Sequence, residues 1–159
     1  MDSATTEKVS QAHHKIHTDI IIDAAPDVVW SVLTDTGNYS NWAAFLVDIK
    51  GEISDGAQIT TVFQVDPTKE KLTIIDHKIT VADGEEFYWA EKGPGGIRDN
   101  HHFKAEPVAE GKTRFIHTDE IMGGLTWLMG DRLARMYRDG YQAFNRGLKA
   151  EAERRARAS

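Results

Sequence analysis

Apolar and polar positions alternate through "HHKIHTDIII": Ile16, Thr18, Ile20 and Ile22 share one face, and Lys15, His17 and Asp19 the other. A period of two predicts an antiparallel strand buried on one side. In "DAAPDVVWSVLTD" the period lengthens. Pro26 and Asp27 suit the first turn of a helix, and Val28, Val29, Val32 and Leu33 form its apolar stripe. A second short helix is predicted at "TGNYSNWAA". Six more strands follow as far as residue 122, separated by turns at "ISDGA", Pro67, Asp83-Gly84, "PGGIRD" and "AEG". Beyond Gly123-Gly124, Leu125, Leu128, Met129, Leu133, Met136, Tyr137, Tyr141, Phe144 and Leu148 recur at helical spacing, to about Arg157. Such a helix reaches roughly 45 Å, enough to cross a whole curved sheet.

The expected fold is α+β, with a seven-stranded curved antiparallel sheet gripping the C-terminal helix and two short helices between strands 1 and 2. Residues 1–11 are expected to be a disordered or loosely held tail, and residues 12–157 a single domain.

Strand parity then selects the side chains that face the helix. In "KTRFIHTDEIM" the inward set is Thr113, Phe115, His117, Asp119 and Ile121. The same reasoning turns His101, Phe103 and Ala105 inward, together with Phe87 and Trp89 on the neighbouring strand. Phe45, Val47 and Ile49, then Ile59, Thr61, Phe63 and Val65, and finally Ile75, His77 and Ile79 complete the inner face, with the register least fixed at residues 71–82. Trp127, just past the glycine hinge, and Met136 and Tyr137 on the helix are added as candidate contacts. Trp30 and Trp42 are assigned to core packing.

Composition narrows the function classes. The chain has 159 residues, 40% apolar content and a formal charge of −6. An acidic balance argues against nucleic acid as a partner, and the one basic cluster, Arg154, Arg155 and Arg157, complements the dipole of a helix end. Apolar runs are too short for stable insertion into a membrane. The absence of cysteine fits a reducing cytoplasm. No helical HxxxH spacing is present, so neither a metal nor a cofactor is expected. "KGPGG" lacks the Lys-Ser/Thr ending of a phosphate loop and is expected to border a cavity mouth.

His101, His117 and Asp119 are the candidates for chemistry. Inward-facing histidines among aromatics could form a satisfied structural network, hydrogen-bond a carbonyl or hydroxyl on an apolar ligand, or act as a general base. Three readings stay open at this point.

Four segments carry a family resemblance: "IIIDAAPDVVWSVLTDTGNYSNW", "HKITVADGEEFYWAEKGPGG", "NHHFKAEPVAEGKTRFIHTDEIMGGL" and "FNRGLKAEAE". Over residues 14–155 the chain resembles the START-like superfamily, also called SRPBCC or helix-grip, in its polyketide-cyclase-like branch. The resemblance implies a deep cavity between the sheet and the last helix, holding lipids, sterols, quinones or polyketides in relatives. It also implies that some branches cyclise or dehydrate their substrates while many bind and carry. The leading expectation is binding or transport of a hydrophobic small molecule through Phe63, His77, Phe87, Trp89, His101, Phe103, Phe115, His117, Asp119, Trp127, Met136 and Tyr137. The alternative enzyme is a polyketide cyclase or dehydratase using His117 with Asp119. A third reading is an interaction module whose Arg132, Arg135 and Arg138 meet an acidic protein; a homodimer is also left open.

Overall fold

The computed structural model describes residues 2–159. Strand β1 (Ser3–Ser10) pairs with β2 (His13–Ile22), which leads into helix α1 (Pro26–Thr34) and a short 3₁₀ helix (Thr36–Asn41). Strands β3 (Leu46–Lys50), β4 (Gln58–Phe63), β5 (Thr73–Lys78), β6 (Thr80–Ala82), β7 (Glu86–Lys92), β8 (Arg98–Ala109) and β9 (Lys112–Met122) precede the long helix α2 (Thr126–Ala158). One sheet has the order β1-β2-β9-β8-β7-β6 and the other β3-β4-β5, with every pairing antiparallel.

Two expectations are corrected here. Residues 3–10, expected to be a loose tail, form an edge strand in register with β2 from Ser3↔Asp19 to Ser10↔His13. Nearly all of its side chains are exposed, so it has no apolar alternation to betray it; backbone pairing and an ion pair from Lys8 to Asp131 hold it. Met1 lies outside the described residues. Nine strands in two sheets also replace the expected seven in one. The stretch read as a single strand at residues 71–81 changes partners midway: β5 pairs with β4, and β6 pairs with β7. Ile79, between them, donates its N–H to Ala57 O. That switch folds the strands into a trough.

Helix α2 lies in the trough. Ala134, Tyr141, Phe144, Leu148 and Ala152 are its buried stripe, recurring at spacings of three, four and seven residues. Gly140 lets it descend: a Cβ at this position would stand 2.3 Å from the Phe45 ring. Phe45 itself has φ 70°, a left-handed backbone that breaks the alternation before β3, and a bulge follows between Leu46 and Asp48. Leu46 and Ile49 are therefore buried in that strand, while Val47 is only half-buried. Trp30 packs edge-on to Phe87, and Trp42 packs on Tyr39 and Phe144, both serving the core.

Candidate functional site

A cavity of about 250 Å³ remains between α2 and the inner face of the strands. Its apolar wall comes from Phe45, Phe63, Val65, Ile75, Ile97 and Leu133. The Gly93–Gly95 turn and Leu125 close one end, where Leu125 N–H donates to Gly95 O. Gly124 is required at this junction. Its φ is +53°, and an added Cβ would lie 2.3 Å from Gly95 O.

The polar part of the wall is Asp99, His101 and Asp119, with Tyr137 and Tyr141 above them from α2. Adjacent strands make the cluster. Phe103 pairs with His117 across β8 and β9, and Trp89 pairs with His101 across β7 and β8. Parity then brings Asp99, His101 and Asp119 to the same face. One ring nitrogen of His101 and one oxygen from each carboxylate lie within 4.8 Å of one another.

A buried hydrogen-bond chain fixes the proton of His101. The Thr18 hydroxyl donates to His117 O (2.8 Å), a group that can only accept, so its lone pair receives Asn145 Nδ2–H (2.9 Å). Asn145 Oδ1 therefore faces His117 and accepts its Nδ1–H at 2.9 Å. A neutral His117 then has a bare Nε2, which accepts Nε2–H from His101 at 2.7 Å. Burial lowers the pKa of both rings, to about 3 for His117, with the Asn145 bond opposing the shift, and keeps both uncharged. What is left of His101 is the lone pair on Nδ1, which has no hydrogen-bond partner among the described residues. His101 is only 1% exposed.

The carboxylates are held firmly. Asp119 accepts from the Tyr141 hydroxyl (2.6 Å) and from Glu120 N–H (2.8 Å). Asp99 Oδ2 accepts from Trp89 Nε1–H at 3.0 Å, while its buried Oδ1 has no partner. Burial raises the pKa of each, and like charge adds to it: Asp99 acts on Asp119, and Glu91 acts on Asp99. Burial also lifts Tyr137, to about 12, so its hydroxyl keeps its proton.

Of the residues expected at the site, Phe63, His77, His101, Asp119 and Tyr137 line the cavity. Phe87, Trp89, Phe103, Phe115 and His117 sit behind that wall and are at most 1% exposed. His77 stacks on Trp89 (centroids 4.2 Å apart) and bonds Thr61 and Glu91. Three expectations are corrected. The expected coupling of His117 with Asp119 is absent, because His117 bonds His101 and Asn145 instead. Trp127 is 63% exposed, because the first turn of α2 points Thr126 and Gly130 inward and leaves Trp127 and Leu128 on the solvent side. Met136 is half-buried but outside the cavity wall.

Asp99, Tyr141 and Asn145 join the candidate site only in the structure. Asp99 shares parity with His101 and needed only one more step of the same alternation. Asn145 follows Tyr141 by four residues, on the same helical face. A larger concavity, about 450 Å³, lies on the outer sheet face, lined by Lys15, His17, His102, Lys104, Thr118 and Glu120 among others. Its ionisable groups are largely paired, as in His102–Glu86, and it is an open polar furrow rather than an apolar enclosure. No described helix is long and apolar enough to cross a membrane.

Comparison with known proteins fits this geometry. The chain is similar in structure to the Zhui aromatase/cyclase from Streptomyces sp. R1128, with a TM-score of 0.69 and 16% identity over 92% of this chain and 97% of that one. It is similar to the di-domain aromatase/cyclase StfQ of the steffimycin biosynthetic pathway, with a TM-score of 0.73 and 13% identity, covering 92% of this chain and 52% of that one. A START superfamily protein from Mycobacterium smegmatis gives a TM-score of 0.70 at 10% identity, over 88% and 97% of the two chains. These likenesses establish the fold alone. Comparison with curated proteins finds no match. The model of one family, described as polyketide cyclase / dehydrase and lipid transport, matches residues 13–153, and the chain belongs to that family.

Proposed function

We propose that the protein binds one compact, mainly apolar molecule carrying a hydroxyl group, such as a hydroxylated bicyclic arene or a quinol. The observation that carries this reading is an aromatic-lined cavity of about 250 Å³ whose polar wall offers mostly lone pairs. That volume is at the small end for ligand pockets, so a two-chain lipid does not fit and a bicyclic guest does. Burying roughly 200 Å² of apolar guest surface gains roughly 5 kcal/mol before the costs of association, so polar contacts must supply the rest of a useful affinity. A hydroxyl aimed at Asp119 or His101 Nδ1 would provide them.

Calorimetry with 1-naphthol and its methyl ether tests this. The naphthol is expected to bind one per chain, and the ether about tenfold or more weaker, because it leaves a buried acceptor unpaired. Equal affinity for the two, or binding unchanged by Phe63→Ala, contradicts the reading.

A second reading, an acid–base enzyme of the cyclase or dehydratase type, draws support from the bare His101 Nδ1. In it His101, not His117, is the base. The expected outcome is turnover of a poly-β-keto analogue that is lost in His101→Gln; turnover that survives this change dismisses it.

A further inference from the structure

The floor of the cavity has an imbalance that an apolar guest does not resolve. Asp99, His101 and Asp119 present two carboxylates and an imidazole lone pair, and no Lys or Arg is among the residues lining the cavity. Ordinarily, buried carboxylates are paired with a cation or several donors. Asp119 has the Tyr141 hydroxyl and the backbone N–H groups of Glu120 and Asn100, whereas Asp99 has the Trp89 indole on one oxygen and nothing on the other. His77, the other imidazole of the wall, is already engaged by Thr61 and Glu91 and stacked on Trp89.

We propose that Asp99, His101 and Asp119 form a binding site for a divalent first-row transition-metal ion, with His101 Nδ1 and one oxygen of each carboxylate as ligands. Its remaining coordination positions open into the cavity.

Three features support a built site rather than a chance acidic cluster. Ligand atoms about 2.0–2.2 Å from a four-coordinate ion stand roughly 3.3–3.6 Å apart, so atoms that lie within 4.8 Å of one another have at most about 1.5 Å to close, a distance that side-chain rotation covers. His101 is 1% exposed and lines the cavity, and its Nδ1 has no hydrogen-bond partner among the described residues. The tautomer this requires is imposed from behind by His117, Asn145 and Thr18, the kind of outer support that metal-binding histidines use. Asp119 is likewise oriented by Tyr141 and its own strand. One imidazole among two carboxylates suits manganese, iron, cobalt or zinc better than magnesium or calcium, which take oxygen alone.

The test is a cobalt(II) titration of untagged protein stripped with chelator, followed by visible d–d absorption. One cobalt per chain is expected. Asp99→Asn and His101→Gln should each weaken binding at least about tenfold, and His102→Gln, on the outer face beside Glu86, should leave it unchanged. Manganese(II) added to labelled wild-type protein gives a variant-free readout, with broadening expected first at His101 and Tyr141. Sub-stoichiometric binding, binding lost in His102→Gln, or broadening centred on His17 and His102 overturns the proposal. Naphthol binding is measured on the stripped protein: failure of cobalt alone removes only the metal site, and failure of naphthol alone removes only the guest.

Discussion

Replacing Asn145 by leucine tests the buried proton chain, because the change keeps the side chain's approximate size and removes both of its hydrogen bonds. Asn145 is 2% exposed and His117 is fully buried, so water cannot replace what is lost. In the variant, His117 either keeps Nδ1–H with no acceptor or moves its proton to Nε2. The second course forces His101 to move its own proton to Nδ1, since two N–H groups cannot face each other at 2.7 Å. Either course leaves one buried polar atom unpaired, at about 1–3 kcal/mol, and Thr18 Oγ1 loses a donor at about 1 kcal/mol. The total of about 2–4 kcal/mol corresponds to a fall in Tm of about 4–16 °C for a domain this size. Calorimetric unfolding of the chelator-stripped protein measures it. Ring-nitrogen NMR reads the tautomers: wild-type His101 should carry its proton on Nε2, and the variant should shift population to Nδ1. A Tm change within about 1 °C, or a wild-type His101 protonated on Nδ1, refutes the chain.

Further outcomes follow from other parts of the fold. Trp127→Ala should change stability by no more than about 0.5 kcal/mol and leave naphthol affinity unaltered, because the side chain is largely in solvent. Gly140→Ala gains helix propensity but places a methyl 2.3–2.6 Å from the Phe45 ring, for a net loss of about 1–3 kcal/mol in denaturant titration. Naphthol should also bind that variant more weakly, since Phe45 yields into the cavity. Hydrogen bonds from Arg154 and Arg155 lower the pKa of Glu151 to about 2 from 4.5. Because the folded value is the depressed one, this contribution is complete above about pH 4.5 and fades as pH falls towards 2. Glu151→Gln should flatten that part of the Tm-against-pH curve.

Much of this architecture is legible in the chain, for definite reasons. Where one strand face is buried, alternation fixes parity, so Phe87, Trp89, His101, Phe103, Phe115, His117 and Asp119 are all inward as expected. Strand β1 is not legible because an edge strand with two wet faces needs no alternation. The partner switch at Ile79 is equally silent, since β5 and β6 continue one alternating segment and differ only in what they pair with. Parity also says which way a side chain points and not how deep it lies. His117 and Asp119 have the same parity, yet His117 is sealed beneath His101 and Asn145 while Asp119 reaches the cavity. Trp127 is exposed because the buried stripe of α2 begins with Thr126, Gly130 and Ala134, small residues that an apolar periodicity does not register.

The proposed function places one guest in the space between α2 and the inner strand face. Chemical-shift mapping during a 1-naphthol titration tests it most directly. Saturable shifts at Phe63, His77, His101, Tyr137 and Tyr141 are predicted, with Lys15, His17 and His102 on the outer furrow unmoved. Shifts confined to the outer furrow, or none at any concentration the naphthol's solubility allows, would contradict it.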